Sequence, residues 1–294
     1  GSGRVGGPRG DPPLWGGAGR PRVAVVGHSE WVTHGIGLMP LPGEITRLAD
    51  PFDEPAGGGA VAAAQGPKVG ADCLFFTALG HDEAGRMAAR HLEENDVTVL
   101  AGVREHHQTR AVSAVGLDGD RAIVVIGEPT SAVIEDPLPW DDIAGCDAAY
   151  FTGHDSATLS AARRARVLVV TTRRLQQLVE SGERADVLIA SASDPTEAVD
   201  AASLPVPPGV VVWTEGGRGG RYEREDGTGG RWEAATLPGP AVDSYGCGDS
   251  VAAGVTVGLA RGLDLDSALA LGARCGAACL AGRGGLRPQL VEPA

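Results

Sequence analysis

Lysine is almost absent from this chain: among 294 residues only Lys68 occurs, in Gly66-Pro67-Lys68-Val69-Gly70. Valine follows it, so the Gly-Lys-Ser/Thr of a P-loop is nowhere present. The strand lysine, HRD and DFG motifs of a protein kinase are missing as well. A Schiff-base enzyme would have to rely on that one amine. Arginine must therefore do most of the cationic work. Basic runs are equally scarce, and the net charge is −13, which argues against nucleic acid as a partner. An anionic substrate would need a local basic pocket against that field. The five cysteines, Cys73, Cys146, Cys247, Cys275 and Cys279, are odd in number and widely scattered. They suggest no disulfide framework; they read as small buried side chains in a reducing cytoplasm. Cys275 and Cys279 could share a helix face, but with no histidine nearby they make a poor zinc pair. No segment is apolar for long enough to span a bilayer, and the N-terminus lacks the apolar core of a signal peptide. Residues 1–20, rich in Gly, Pro and Arg, read as a disordered leader or expression remnant.

What is present is a core of ordinary size, with 43% hydrophobic residues. Residues 22–27 (Arg-Val-Ala-Val-Val-Gly) read as a first buried strand, and residues 28–56 as irregular. An alanine-rich helix opens at Gly57-Gly58-Gly59. Strands are expected at 73–78 and 97–103, with a helix over 84–95. Two short apolar runs, 111–117 and 122–126, flank the polar turn Asp118-Gly119-Asp120-Arg121 and predict a hairpin. Strands and helices then alternate from 148 to 213, which implies a mostly parallel sheet covered by helices. A second hairpin is expected around Tyr222 and Trp232, and two last helices over 251–261 and 265–281. The segments 28–56 and 104–128 break the α/β rhythm and are expected to form a small β lid over a pocket.

The most informative stretch is Asp243-Ser244-Tyr245-Gly246-Cys247-Gly248-Asp249, which runs into the small-residue helix beginning near Val251. Two glycines and a carboxylate thus fall at a helix N-terminus, where unpaired N–H groups and the helix dipole favour phosphate. The same residues would also serve as a plain capping turn. Read as a site, the turn holds charge on a phosphoryl group while Asp249 orients an alcohol and takes its proton late. A second Gly-rich place, Thr214 to Gly220, follows a strand directly; ligands collect at the carboxyl ends of such strands. It reads equally as a flexible hairpin lead-in. The third, Gly57-Gly58-Gly59 with Ala62, is a weak dinucleotide fingerprint, and no buried strand is expected before it. His28, Glu30 and His34 follow the first strand, where they would line a pocket or a polar loop. Arg110 and Arg121 bracket one strand of the hairpin, as anion-reaching groups on a lid or as surface charges.

Together these residues resemble the ribokinase-like (PfkB) carbohydrate kinases. Asp243 to Asp249 looks like that family's C-terminal Asp-Thr-x-Gly-Ala-Gly-Asp signature, with Ser244 and Cys247 as replacements. Gly57-Gly58-Gly59-Ala60 and the run Phe75 to Gly85 resemble its N-terminal signature, Asp118 to Arg121 its lid hairpin, and Thr214 to Gly220 its nucleotide loop. The resemblance covers residues 22–286. It implies a three-layer α/β sandwich with a small β lid in residues 21–294, and ATP-dependent phosphorylation of a sugar-like alcohol or a nucleoside. Asp249 matches the catalytic base, and Gly246, Cys247 and Gly248 the anion hole. Thr214, Gly216, Gly219, Ser191 and Asp194 would serve the nucleotide, with Cys275 to Cys279 flanking the adenine. Gly57, Gly58, Gly59, Glu30 and Arg110 would face the acceptor. Mg²⁺ would travel with ATP, held largely by phosphates and water. A monovalent cation such as K⁺ would sit at Asp243 and the carbonyls of 282–285. The resemblance also implies a homodimer through the lids.

Some positions depart from the family. Val32 or Thr33 stands where many sugar kinases of the family carry Asp, and Ala62 where they carry Asn. Ser191-Ala192-Ser193-Asp194 stands for their Asn-x-x-Glu. The changed acceptor positions keep a second reading open, a kinase-like fold that binds without catalysis. A nicotinamide enzyme is the third.

Overall fold

The computed structural model describes residues 19–116 and 121–292. The chain begins β1 (Arg22–Gly27), β2 (Glu30–Ile36), β3 (Ala49–Ala56), α1 (Gly58–Lys68), β4 (Asp72–Gly80) and α2 (Glu83–Glu93). It continues with β5 (Val97–Arg104), β6 (Arg110–Val115), β7 (Arg121–Ile126), β8 (Ala148–Thr152), α3 (Ser156–Ala162), β9 (Val167–Thr171) and α4 (Leu175–Ser181). It closes with β10 (Val187–Ser191), β11 (Val210–Thr214), β12 (Gly220–Arg224), β13 (Gly229–Trp232), α5 (Cys247–Ala260) and α6 (Leu265–Leu280).

Nine strands form the main sheet in the order β13-β12-β11-β10-β9-β8-β1-β4-β5. From β11 to β5 every neighbouring pair is parallel, and the β11–β12 and β12–β13 pairs at the edge are antiparallel. These strands are short continuous runs of Val, Leu, Ile and Ala because both faces of a parallel sheet are covered. Alternate residues divide between two cores. Val23, Val25, Ala148, Tyr150 and Val212 pack with α1, α5 and α6, whereas Ala24, Val26, Ala149, Phe151 and Val211 pack with α3 and α4. That division is the three-layer sandwich that the alternating strands and helices imply. Glycines bring α5 and α6 close together: a Cβ on Gly254 would sit 2.7 Å from the Cα of Gly272.

The lid is a four-stranded sheet in the order β3-β2-β6-β7. Residues 28–56 are therefore not irregular, as the sequence suggested; β2 and β3 are strands, paired antiparallel. Pro51 and Pro55 disguise β3, yet it is an edge strand, where a missing N–H breaks no ladder. The turn Asp118-Gly119-Asp120 lies outside the described residues, but its flanking strands β6 and β7 pair as expected. Arg20, the last residue of the expected leader, donates to the carbonyls of Pro67 (2.9 Å) and Ala71 (3.1 Å). The helix expected after β10 is two short 3-10 turns, Pro195–Glu197 and Ala201–Ser203. Among the described residues no helix is long and apolar enough to cross a membrane.

Candidate active site

The turn before α5 is built on Gly246, whose φ of 72° is left-handed and suits glycine. A side chain there would also press on Val61 and on the backbone of Gly285. No side chain caps α5, so the plain-cap alternative for Asp249 does not describe this turn. The Cys247 N–H makes a long bond to the Ser244 carbonyl (3.4 Å), while those of Gly248 and Asp249 have no backbone partner. Free N–H groups at the positive end of a fourteen-residue helix form an anion cradle.

Asp249 is half-buried beside this cradle, over the carboxyl end of β8. The Tyr150 hydroxyl donates to its Oδ1 at 3.2 Å. Burial raises the Asp249 pKa, while the Tyr150 bond and the charges of Arg173 and Arg174 pull against it. The first glycines of α1 approach from the other side. A Cβ on Gly58 would lie 2.8 Å from Asp249 Oδ1 and 3.2 Å from Thr152 Oγ1. Gly57, at φ 81°, donates its N–H to the Tyr245 hydroxyl at 3.3 Å. His28 spans β1, α1 and β8: its Nε2 accepts from the Gly58 N–H (3.3 Å), and its Nδ1 donates to the Thr152 carbonyl (3.4 Å). Those two bonds need a neutral ring. Burial, then the charge of Arg174, lowers the His28 pKa to about 3. Glu30 lies 3.9 Å from the same ring, and its pKa is raised by burial and by Asp249.

The structure thus gathers Asp249, Gly246, Cys247, Gly248, Gly57, Gly58, Gly59 and Glu30 in one place. It does not bring Arg110 there. Arg110 pairs with Trp31 on the opposite face of the lid from Glu30, and both line a cavity of about 300 Å³ against α2. The strand alternation of β2 and β6 decides this, and the sequence could not reveal which face would turn inward.

Ser191 and Thr214 end the paired strands β10 and β11; a 3-10 turn follows, with Gly216 open at its start and Gly219 buried against the Trp232 backbone at its end, both with positive φ. Asp194 and Arg173 pair at 3.3 Å nearby. The sequence reading missed Glu197. Counted from Asp194, the run Asp194-Pro195-Thr196-Glu197 carries an acid three places on, so a shift of three residues from the Ser191 frame had hidden this match to the Asn-x-x-Glu spacing. Glu197 is buried and accepts from Arg173 (2.8 Å), Thr172 (2.9 Å) and the Ser191 N–H (2.9 Å). Tyr150 and Arg174 were also overlooked. The Arg173-Arg174 pair at the end of β9 was the available signal, since charges at the carboxyl end of a parallel strand face the ligand crevice.

Cys275 and Cys279 do not flank a nucleotide surface. Both are fully buried: Cys275 packs against Gly254, and the Cys279 thiol donates to the Tyr245 carbonyl at 3.2 Å. Cys275 thus packs α6 against α5, and Cys279 ties α6 to the turn that precedes α5. Asp243 is buried too, and both its oxygens accept N–H groups, Oδ1 from Tyr245 (2.9 Å) and Oδ2 from Gly284 (3.0 Å). Glu54 on β3 continues this clamp, its Oε1 accepting from Gly285 (2.6 Å) and Leu286 (3.2 Å). Both Asp243 oxygens are taken up by N–H donors, which does not fit a cation held by that carboxylate, although Glu54 Oε2 is buried without a hydrogen-bond partner among the described residues. Among the described residues no three His, Cys, Asp or Glu side chains are grouped to hold a metal ion. Arg121 reaches down from the lid, bonding Ser244 and lying over the Tyr245 ring.

Solved structures with this fold include ribokinase from Thermotoga maritima, at 18% identity and a TM-score of 0.76, covering 92% of this chain and 96% of that one. Ribokinase from Arabidopsis thaliana, solved with ribose and ATP, has 18% identity and a TM-score of 0.73, with the same coverage. Adenosine kinase from Sinorhizobium meliloti has 16% identity and a TM-score of 0.72, covering 91% of this chain and 96% of that one. No curated protein sequence matches the chain. The family model described as pfkB family carbohydrate kinase matches residues 22–290, and with its two signatures meeting at Asp249 the chain belongs to that family.

Proposed function

We propose that this protein transfers the γ-phosphoryl group of ATP to a hydroxyl of a sugar or nucleoside, with Asp249 as the base. The observation that carries the reading is the Asp249 carboxylate beside the uncapped start of α5, at the carboxyl ends of parallel strands. The acceptor hydroxyl would lie over Gly57 and Gly58, within reach of Asp249. Asp249 orients it and receives its proton as the bond to phosphorus forms. The free N–H groups of Gly248 and Asp249 stabilise charge on the transferring oxygens. ATP would lie along Ser191, Thr214, Gly216 and Gly219. Mg²⁺ supplies charge neutralisation on the phosphates; Asp194 and Glu197 already pair with Arg173, so they suit contact with it through water. The five cysteines are free, in keeping with the reducing cytoplasm we assign.

The lid edge β7 is exposed along Ile123, Val124, Val125 and Ile126, and we assign it to contact with a second copy of the chain. Light scattering of the protein and of an Ile123→Glu/Val125→Glu variant tests this. A monomer in both would remove the assignment. For the activity, ADP release is measured with Mg-ATP and a panel of sugars, sugar phosphates, sugar acids and nucleosides. Silence with every acceptor, with folding and ATP binding verified, would favour the non-catalytic reading instead.

A further inference from the structure

Arg173 and Arg174 leave the end of β9 together and then diverge. Arg173 turns toward the nucleotide end, pairing with Glu197 and Asp194. Arg174 turns the other way, its Nε donating to the Thr152 carbonyl on β8 at 3.0 Å and its Nη1 to the Arg173 carbonyl at 3.4 Å. It forms no ion pair with a carboxylate among the described residues. Other half-buried arginines of this chain do find one: Arg104 with Asp136, Arg163 with Asp186, and Arg261 with Glu292. A partly desolvated guanidinium without a counter-ion is costly, and its planar fork is shaped for a carboxylate or phosphate.

The neighbours of Arg174 place that missing anion. Its charge acts on Asp249 and Tyr150, and it helps hold His28 neutral. His28 and Thr152 border the acceptor side of Asp249, whereas Ser191 and Thr214 lie beyond Arg173. Asp249 balances the guanidinium only at a distance, and ceases to do so once it takes the acceptor's proton. An anionic group on the acceptor would supply the lacking charge throughout. It also answers a problem of the whole chain, whose net charge of −13 would repel such a substrate without a local cation.

We propose that Arg174 reads an anionic group on the acceptor, so that the substrate is a phosphorylated or carboxylated sugar rather than a neutral one. This rests on the kinase reading above. The test is isothermal titration of the unmodified protein and of Arg174→Met and Arg174→Lys with ribose 5-phosphate, gluconate, ribose and adenosine, without ATP. ADP release is recorded on the same samples with Mg-ATP. Expected is binding of ribose 5-phosphate or gluconate at least about tenfold tighter than ribose or adenosine. The margin should vanish in Arg174→Met and largely return in Arg174→Lys, whichever of the two anions is preferred. Equal or tighter binding of the neutral probes overturns the proposal, as does an anion preference unchanged in Arg174→Met. An equal fall in kcat for all acceptors, with binding intact, also overturns it, since Arg174 would then serve only the transferring phosphoryl. An Arg174-dependent anion preference without ADP release removes the kinase reading and leaves Arg174 as an anion reader. Turnover of neutral acceptors alone does the reverse.

Discussion

The Cβ position of Gly58 lies 2.8 Å from Oδ1 of Asp249, so the glycine signature near the start of the chain and the aspartate signature near its end meet at one atom. Any side chain at residue 58 must displace the carboxylate or the helix. Gly58→Ala is expected to lower kcat by about 100-fold, the size of effect that a 1 Å misplacement of a reacting group produces. The melting temperature should change little. Steady-state kinetics and a thermal melt on the same preparation check this; unchanged kcat would show that the two groups do not work together.

Asp249→Asn should retain ATP binding and lose about 10²- to 10⁴-fold in turnover, the contribution of a general base. The same change should raise stability at neutral pH. Burial raises the carboxyl pKa in the folded state, so the unfolded chain loses its proton first. The stability this group contributes is full below its unfolded pKa and falls as pH rises through the folded one; the amide removes that loss. In the unmodified protein the acid limb of kcat/KM should lie above the ordinary aspartate range. Melting curves and a pH–rate profile measure both effects.

His28 has the opposite linkage. Its folded pKa is about 3 against 6.5 for a free histidine, so below pH 6.5 the unfolded chain binds a proton that the folded one refuses. Stability should fall on acidification from pH 6.5 toward about 3, by up to about 1.4 kcal/mol per pH unit from this residue. His28→Gln keeps an acceptor for the Gly58 N–H and should flatten that slope. Urea unfolding at several pH values reads it directly, and an unaltered slope would mean that His28 titrates normally.

Cys247 stands beside the cradle, its N–H bonded to the Ser244 carbonyl (3.4 Å) and its thiol turned back to the Asp243 carbonyl at 3.8 Å. Because the cradle is made of backbone, Cys247→Ala should keep kcat within about threefold, far less than the loss of a true oxyanion donor. A loss of 100-fold or more would assign the thiol itself a role that its direction does not suggest.

The fold was legible in the sequence because the strands of a parallel sheet are continuous apolar runs and the helices between them open on glycine, glutamate, serine or leucine. The Asp243–Asp249 turn was legible because only a few residue types build an anion cradle. What stayed hidden depended on facing and on register. Pro51 and Pro55 concealed an edge strand, and Arg110 could not be assigned to a lid face before its pairing with Trp31 was known. A shift of three residues moved Glu197 out of the expected frame. Cys275 and Cys279 share a helix face as the spacing allows, but that face meets α5 rather than a ligand.

The clamp on residues 284–286 has a consequence for how the turn before α5 is assembled. Asp243 and Glu54 take three successive N–H groups from a loop that lies beyond α6, and Gly285 of that loop backs the Gly246 turn. During synthesis β3, α1 and the main parallel sheet all emerge from the ribosome before this loop does. Until it arrives, Glu54 lacks its two N–H donors, Asp243 keeps only the Tyr245 N–H, and the Gly246 turn lacks its backing. A nascent chain can therefore hold most of its fold while the Gly246 turn still lacks its support, and that turn is completed only after α6 has been made.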